Sequence, residues 1–302
     1  MAELTAFQFE DLCREGPVQV QIGSIETVRR EAMKKFLMRM GGVLAIGLVI
    51  WLALANVWGF FAFIVIAIVG GIWAGSPLST AAAGIKQPTL EALAAQAGMQ
   101  YFSTGFEPPV FGEAQRMLFG TWLSSAVFTD LFTGRDEHGR NFAFYEGTLT
   151  RGHGKHKQQV FSGTVYAFQR LRPAGAHTVI IPDKGLFNFF KPASDMQRVN
   201  FEDHPEFEKR FEVYSTDPIQ AKMLLSSPAT RQKLLDYRGA NWGSRLFVYL
   251  GPTDALVAIQ SPNRFEPGSM FKSIEGRERV RRMFDDVCHS GATAKYLKDV
   301  FG

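Results

Sequence analysis

Between Met40 and Ile85 the chain carries no Asp, Glu, Lys or Arg, and this run restricts the fold more than any other feature. Its heart, GGVLAIGLVIWLALANVWGFFAFIVIAIVGGIWA from Gly41 to Ala74, is almost wholly apolar. As one helix it would be roughly 50 Å long, against a bilayer hydrocarbon core of about 30 Å. A single tilted span would leave much of it in water. Two spans remove the mismatch, and Asn56-Val57-Trp58-Gly59 supplies a turn with a polar amide, an interface-favouring tryptophan and a glycine. The expectation is a transmembrane helical hairpin over residues 36–78, with helices near Phe36–Ala55 and Trp58–Leu78. The run begins too late and is too long for a signal peptide.

Cations set the topology. Arg29, Arg30, Lys34, Lys35 and Arg39 crowd the approach to the first span, whereas the turn is uncharged. Positive residues favour the cytoplasmic side, and two spans return Lys86 to that side. A two-pass protein of the inner (cytoplasmic) membrane with both termini in the cytoplasm is therefore expected; a single span would move the following domain across. The cluster is read as a topogenic signal, with recognition of anionic membrane lipid as its sharper alternative. Residues 1–35 form a helical cytoplasmic leader, in which Ser24 caps a helix beginning at Ile25.

The remaining composition excludes more than it identifies. A net charge of +4 on 302 residues, without a basic stripe, argues against nucleic acid. Cys13 and Cys288 are the only cysteines, too few for a disulfide framework or a four-ligand zinc site.

Behind the hairpin, residues 79–110 read as a linker and a short helix, LEALAAQAG, stopping at Gly98; residues 111–302 read as one soluble domain. A short helix is expected near Glu113–Leu118. Strands follow in AVFTDLFTGR and NFAFYEGTLTR around the turn Asp136-Glu137-His138-Gly139, and then in QQVFSGTVYAFQR, HTVIIPDKG, QRVNFED and RFEVYST. Asp217-Pro218 and Ser227-Pro228 each start a helix, the second ending at Gly239. RLFVYLGP and ALVAIQS are two more strands. A helix over Glu275–Asp286 and a shorter one including Lys295–Val300 close the chain. Short connections without crossover helices require a mainly antiparallel sheet. The fold class is α+β, with helices on one face or edge of the sheet; a pleckstrin-homology-like arrangement is one form this order allows.

The words VFSGTVYAF, VIIPDKG, PEFEKRFEVYSTDPIQAKMLLS and FEPGSMFKSI resemble the bacterial family known as domain of unknown function 3137. The block from Glu206 to Phe211 ahead of Val-Tyr-Ser is the most specific of them. The resemblance spans the anchor and nearly all of the soluble domain. It implies two N-terminal spans before a soluble domain, and no activity or catalytic residue.

Candidate chemistry is sparse. Ser269-Met270-Phe271-Lys272 has the Ser-x-x-Lys spacing of penicillin-binding proteins, but no companion motif follows and too little chain remains. Glu202, His204 and Glu206 form a loop-borne oxygen-and-imidazole set interrupted by Pro205, and His153 and His156 lie in a Gly/Lys loop without carboxylates; both read as solvated loops rather than metal sites. No cofactor motif is present. The segment Lys184-Gly185-Leu186-Phe187-Asn188-Phe189-Phe190-Lys191-Pro192 is the membrane-interface candidate. Exposed, Phe187, Phe189 and Phe190 would enter the bilayer interface while Lys184 and Lys191 meet headgroups; alternatively the phenylalanines fill the edge of the core. Two functional classes follow. One is a tethered cytoplasmic domain that binds membrane lipid or another membrane-associated or cytoplasmic protein. The other is a membrane-bound enzyme using dispersed groups, with Asp183, His204 and Asp217 as its candidates.

Overall fold

The computed structural model describes residues 6–14, 17–54, 56–120, 123–171, 173–183, 195–240 and 245–301. Its described residues divide into a helical unit, comprising 6–93 together with 265–287, and a sheet unit, comprising 94–264 together with 288–301.

In the helical unit, α1 (Ala6–Arg14) precedes two long helices, α2 (Pro17–Leu54) and α3 (Val57–Gln96). Asn56 separates the two: its side-chain oxygen accepts from the Gly59 amide at 3.0 Å, capping α3. Burial along both helices switches partway. On α2, Val18, Ile25 and Ala32 are buried, whereas Leu44, Ile46, Leu48, Val49 and Leu52 are exposed. On α3, Trp58, Phe61, Val65, Ile68 and Ile72 are exposed, whereas Ala74, Leu78, Ala81 and Ile85 recur buried at helical spacing. Each helix is thus apolar outward in one half and apolar inward in the other. Within the outward halves the backbones approach closely. A Cβ on Gly70 would lie 2.3 Å from Val43 Cγ1, and one on Gly47 would lie 2.8 Å from Phe63.

Two boundaries differ from expectation. α2 begins at Pro17 rather than Ile25, and α3 runs unbroken through Pro77 and Pro88, so residues 79–87 are helix rather than linker and join the short helix expected after Pro88. The helix ends where Gly98 adopts φ +69°, as expected for a glycine stop.

Among the described residues the sheet unit is built on nine antiparallel strands: β1 (Met99–Phe102), β2 (Leu123–Arg135), β3 (Asn141–Arg151), β4 (Gln158–Gln169), β5 (Thr178–Pro182), β6 (Gln197–Val199), β7 (Phe211–Ser215), β8 (Leu246–Leu250) and β9 (Asp254–Gln260). Their order is β1-β2-β3-β4-β9-β8-β5-β7-β6. The helices among them are α4 (Phe111–Leu118), α5 (Pro205–Glu208), α6 (Pro218–Leu224) and α7 (Pro228–Ala240). The α+β class and the antiparallel sheet are as read from the sequence, and a helix, α8 (Gly276–Phe301), follows the strands. That helix is continuous where two had been expected.

Helices cover both faces rather than one. On the first face α4 and Phe119 pack over Tyr145, Leu149, Phe161, Val165, Phe247, Tyr249 and Leu256. On the second, Phe144, Tyr166, Phe168, Val248 and Val257 are equally buried. There Tyr296 of α8 stacks on Tyr237 of α7 with ring centroids 5.8 Å apart. Gly163 sits where β4 crosses β9. A methyl there would lie 2.1 Å from the Ile259 carbonyl oxygen and 2.7 Å from the Ser261 nitrogen. Gly163→Ala should therefore cost about 2 kcal/mol, read as a lower thermal midpoint with faster amide exchange in β9; an unshifted midpoint would mean that the strands can part freely here.

Candidate functional site

The basic cluster before the apolar run is not one uniform belt. Arg29 is buried. Its Nη2 and Nε donate to Glu26 at 2.7 and 2.8 Å, and its Nη1 donates to the Met270 carbonyl at 3.2 Å. Arg30 is exposed and reaches the same carboxylate at 3.1 Å. Held by Arg29 first, against the opposing effect of burial, and helped by Arg30 and Ser273, the Glu26 carboxyl has its pKa lowered to about 2. Arg29 thus ties α2 to the loop before α8. Lys34 points to solvent, while Lys35 and Arg39 turn toward α3.

Proline explains what Arg39 meets there. Pro77 has no N–H to offer the Trp73 carbonyl, the acceptor one turn earlier. Arg39 Nη1 supplies a donor at 3.4 Å, also reaches Ser76 Oγ at 2.8 Å, and its guanidinium carbon lies 4.5 Å from the Trp73 ring centroid. Pro88 likewise leaves the Gly84 carbonyl without its helical donor. Small side chains at Ala32, Ala81 and Gly84 leave space between the helices unfilled, and a cleft of about 470 Å³ opens there. Lys35, Arg39, Ser76, Thr80, Glu31 and Ser24 supply its polar side chains.

The loop carrying the Ser-x-x-Lys spacing wraps an arginine. Arg279 of α8 is fully buried and donates to the carbonyls of Pro267, Ser269 and Lys272 at 2.8, 3.0 and 2.7 Å. Ser269 Oγ accepts from the Phe271 amide at 3.3 Å, a local turn rather than a nucleophile's arrangement. Phe271, 63% exposed, meets Phe36 edge-on at 5.5 Å. Phe36 is the residue at which the first span was expected to begin, so Phe271 stands level with that boundary. Nothing in the pattern of FEPGSMFKSI announces this, because the contact partner is far away in the chain.

The enzyme candidates have other engagements. Asp217 caps α6, accepting from the amides of Ile219 and Gln220 at 2.9 and 3.1 Å. The Asp183 amide donates to the Arg210 carbonyl at 3.0 Å, and His204 leads into α5 with its ring against Phe207. Glu206 pairs with Lys209 at 2.8 Å, and its pKa is lowered chiefly by that hydrogen bond. His153 precedes, and His156 ends, an exposed 3₁₀ turn over Gly154–His156. A polar cleft of about 590 Å³ near β6 includes Arg198, Asp203, Lys222 and Arg231 but none of Asp183, His204 or Asp217. Arg231 is buried there, bound to Asp203 and, at 2.8 Å, to the Leu225 carbonyl. Lys184, Phe187, Phe189, Phe190 and Lys191 lie outside the described residues.

Residues 159–298 match the family model described as Protein of unknown function (DUF3137). Over those residues the chain is similar to this family. The DUF3137 match starts within β4 and ends within α8, and so includes the 267–273 loop. No curated protein matches the chain. Among solved structures, the crystal structure of the mycobacterial trehalose monomycolate transport factor A is 15% identical, covering 66% of this chain and 93% of that one with a TM-score of 0.37. At that score the likeness defines neither fold nor function. By length and composition α2 and α3 are each able to cross a membrane.

Proposed function

We propose that this protein is a two-pass inner-membrane protein with both termini in the cytoplasm, acting as a binding module at the membrane surface. The observation that carries the reading is the reversal of burial along both long helices. On α2 Val18, Ile25 and Ala32 are buried whereas apolar side chains from Leu37 onward are mostly exposed, and on α3 apolar side chains face outward up to Trp73 and are buried at helical spacing from Ala74. Water-exposed apolar helix faces of that extent are unstable, whereas lipid requires them. The cations gather at the point of reversal, as cytoplasmic flanks do. Reporter fusions at the C-terminus test the topology. Cytoplasmic reporter activity is expected, and periplasmic activity would overturn the reading.

The surface engaged is the bilayer interface, through Phe271 and Lys272. An aromatic left exposed beside Phe36, with a lysine next to it, has the chemistry of an interfacial anchor. In nanodiscs, a polarity-sensitive fluorophore on Phe271→Cys, in a Cys13→Ser/Cys288→Ser background, should emit as in an apolar medium. Lipids with nitroxide near the headgroup should quench it. Water-like emission indifferent to those lipids would remove the interfacial role.

A further inference from the structure

The cleft between α2 and α3 has an ordered polar lining, and its order points to a ligand. The Arg39–Ser76 hydrogen bond fixes the antiparallel register of the two helices. One turn farther from the apolar halves Lys35 is level with Thr80, and one turn beyond that Glu31 is level with Gly84. Moving away from the membrane boundary, the cleft therefore presents two cations with two hydroxyls, and then a carboxylate with the Gly84 carbonyl that Pro88 leaves without its helical donor. Glu31 and Lys35 have no ion-pair partner among the described residues, so both remain available to a ligand. The floor is made of small or apolar side chains, including Ala32 and Ala81.

We infer that this cleft binds the headgroup of an amine-bearing membrane phospholipid. The phosphodiester lies between Lys35, Arg39, Ser76 and Thr80, and the ammonium lies against Glu31 and the Gly84 carbonyl. The inference rests on the anchored reading, which places the cleft at headgroup depth. A volume of about 470 Å³ suits a small polar group. Arginine and lysine are the usual partners of phosphate at such sites, and a carboxylate one turn farther out disfavours a headgroup that is anionic throughout. Arg39 is held ready for the phosphate by its Ser76 and Trp73 contacts, which limits the side-chain entropy lost on binding.

Native mass spectrometry of the full-length protein, released from detergent with acyl-matched phosphatidylethanolamine, phosphatidylglycerol and phosphatidylcholine, tests the assignment. Phosphatidylethanolamine should be retained in preference to both others. Lys35→Gln with Arg39→Gln should weaken its binding about tenfold or more, the loss expected for one or more charge-assisted hydrogen bonds. Glu31→Gln should abolish the preference over phosphatidylglycerol while leaving phosphate binding in place. Thr80→Leu, which fills the cleft without changing charge, should also reduce occupancy, so the result does not depend on a variant that misfolds. Equal retention of the three lipids, or occupancy unchanged in the charge variants, would overturn the proposal. Displacement of the lipid by water-soluble glycerophosphoethanolamine at equal concentration would overturn the lipid as its source. Carbonate extraction of the same membranes separates this proposal from the anchor: wild-type protein released by carbonate removes both, whereas retained protein with unselective binding removes only the cleft's ligand.

Discussion

Arg279→Met should unseat the 267–273 loop and lower the stability of the full-length protein by roughly 3–5 kcal/mol. Methionine would fill much of the volume but carries no donors. Three carbonyls now bound at 2.7–3.0 Å, that of Pro267 buried and those of Ser269 and Lys272 partly buried, would lose their donors. Burial, and then repulsion from Arg29, pull the Arg279 pKa down, yet an arginine stays charged throughout the physiological range. Its planar fork reaches three acceptors at once, which a lysine ammonium on a flexible stem does not reproduce, so Arg279→Lys should recover only part of the loss. Arg29 holds the Met270 carbonyl of the same loop from α2. Substitutions at Arg29 and Arg279 should therefore be non-additive. The readouts are the thermal midpoint in nanodiscs and the amide exchange of residues 269–273. A wild-type midpoint with a protected loop would show that packing, rather than the arginine, holds it. Loss of the loop should also return a fluorophore at position 271 to a water-like environment, linking this residue to the interfacial anchor.

The two long helices were legible because the absence of charge over Met40–Ile85 is a property of composition, independent of tertiary context. The same holds for local chemistry: Asp217 ahead of Pro218, the Asp136–Gly139 turn and the glycine stop at Gly98 all occur where they were read. The continuation of α3 through Pro77 and Pro88 was not legible, because each proline removes a donor and only a partner outside the helix can replace it. At Pro77 that partner is Arg39, supplied by α2. Sheet burial was similarly hidden. Strands such as β8, buried at every position, lose the alternation that would indicate which face a helix covers. Long-range partners were hidden for a related reason. Arg29 reads as one cation in a topogenic row, yet it is buried by a carbonyl supplied from Met270, far along the chain. Ser269 and Lys272 draw attention by their spacing, while their carbonyls, invisible to any motif, do the binding.

Asp136→Ala should cost the sheet unit roughly 3 kcal/mol and free the β2–β3 hairpin from α8. The carboxylate is almost inaccessible, and it accepts four bonds. Its Oδ1 takes the His138 and Arg140 amides, each at 2.9 Å, while Oδ2 takes Arg140 Nε at 2.9 Å and Lys298 Nζ at 2.8 Å. The first two shape the turn, and the last joins the turn to the closing helix. Lys298→Met should therefore cost less than Asp136→Ala, since it leaves the turn intact. Burial alone would raise the Asp136 pKa, but Lys298 and the two amides outweigh it and hold the carboxyl well below its ordinary 3.8. A depressed folded-state pKa means that this stabilisation is fully present above the unfolded-state value. It falls away as pH drops below about 4, by about 1.4 kcal/mol per pH unit for the one proton taken up, until the folded-state pKa is passed. Amide exchange over residues 123–151, corrected for the intrinsic rate at each pH, should rise between pH 5 and pH 3 in the wild type. Asp136→Asn should show a flat profile at a higher baseline. A wild-type profile flat over that window would mean that the bond to Lys298 contributes nothing to closing the fold, and that the hairpin is held to α8 by apolar packing alone.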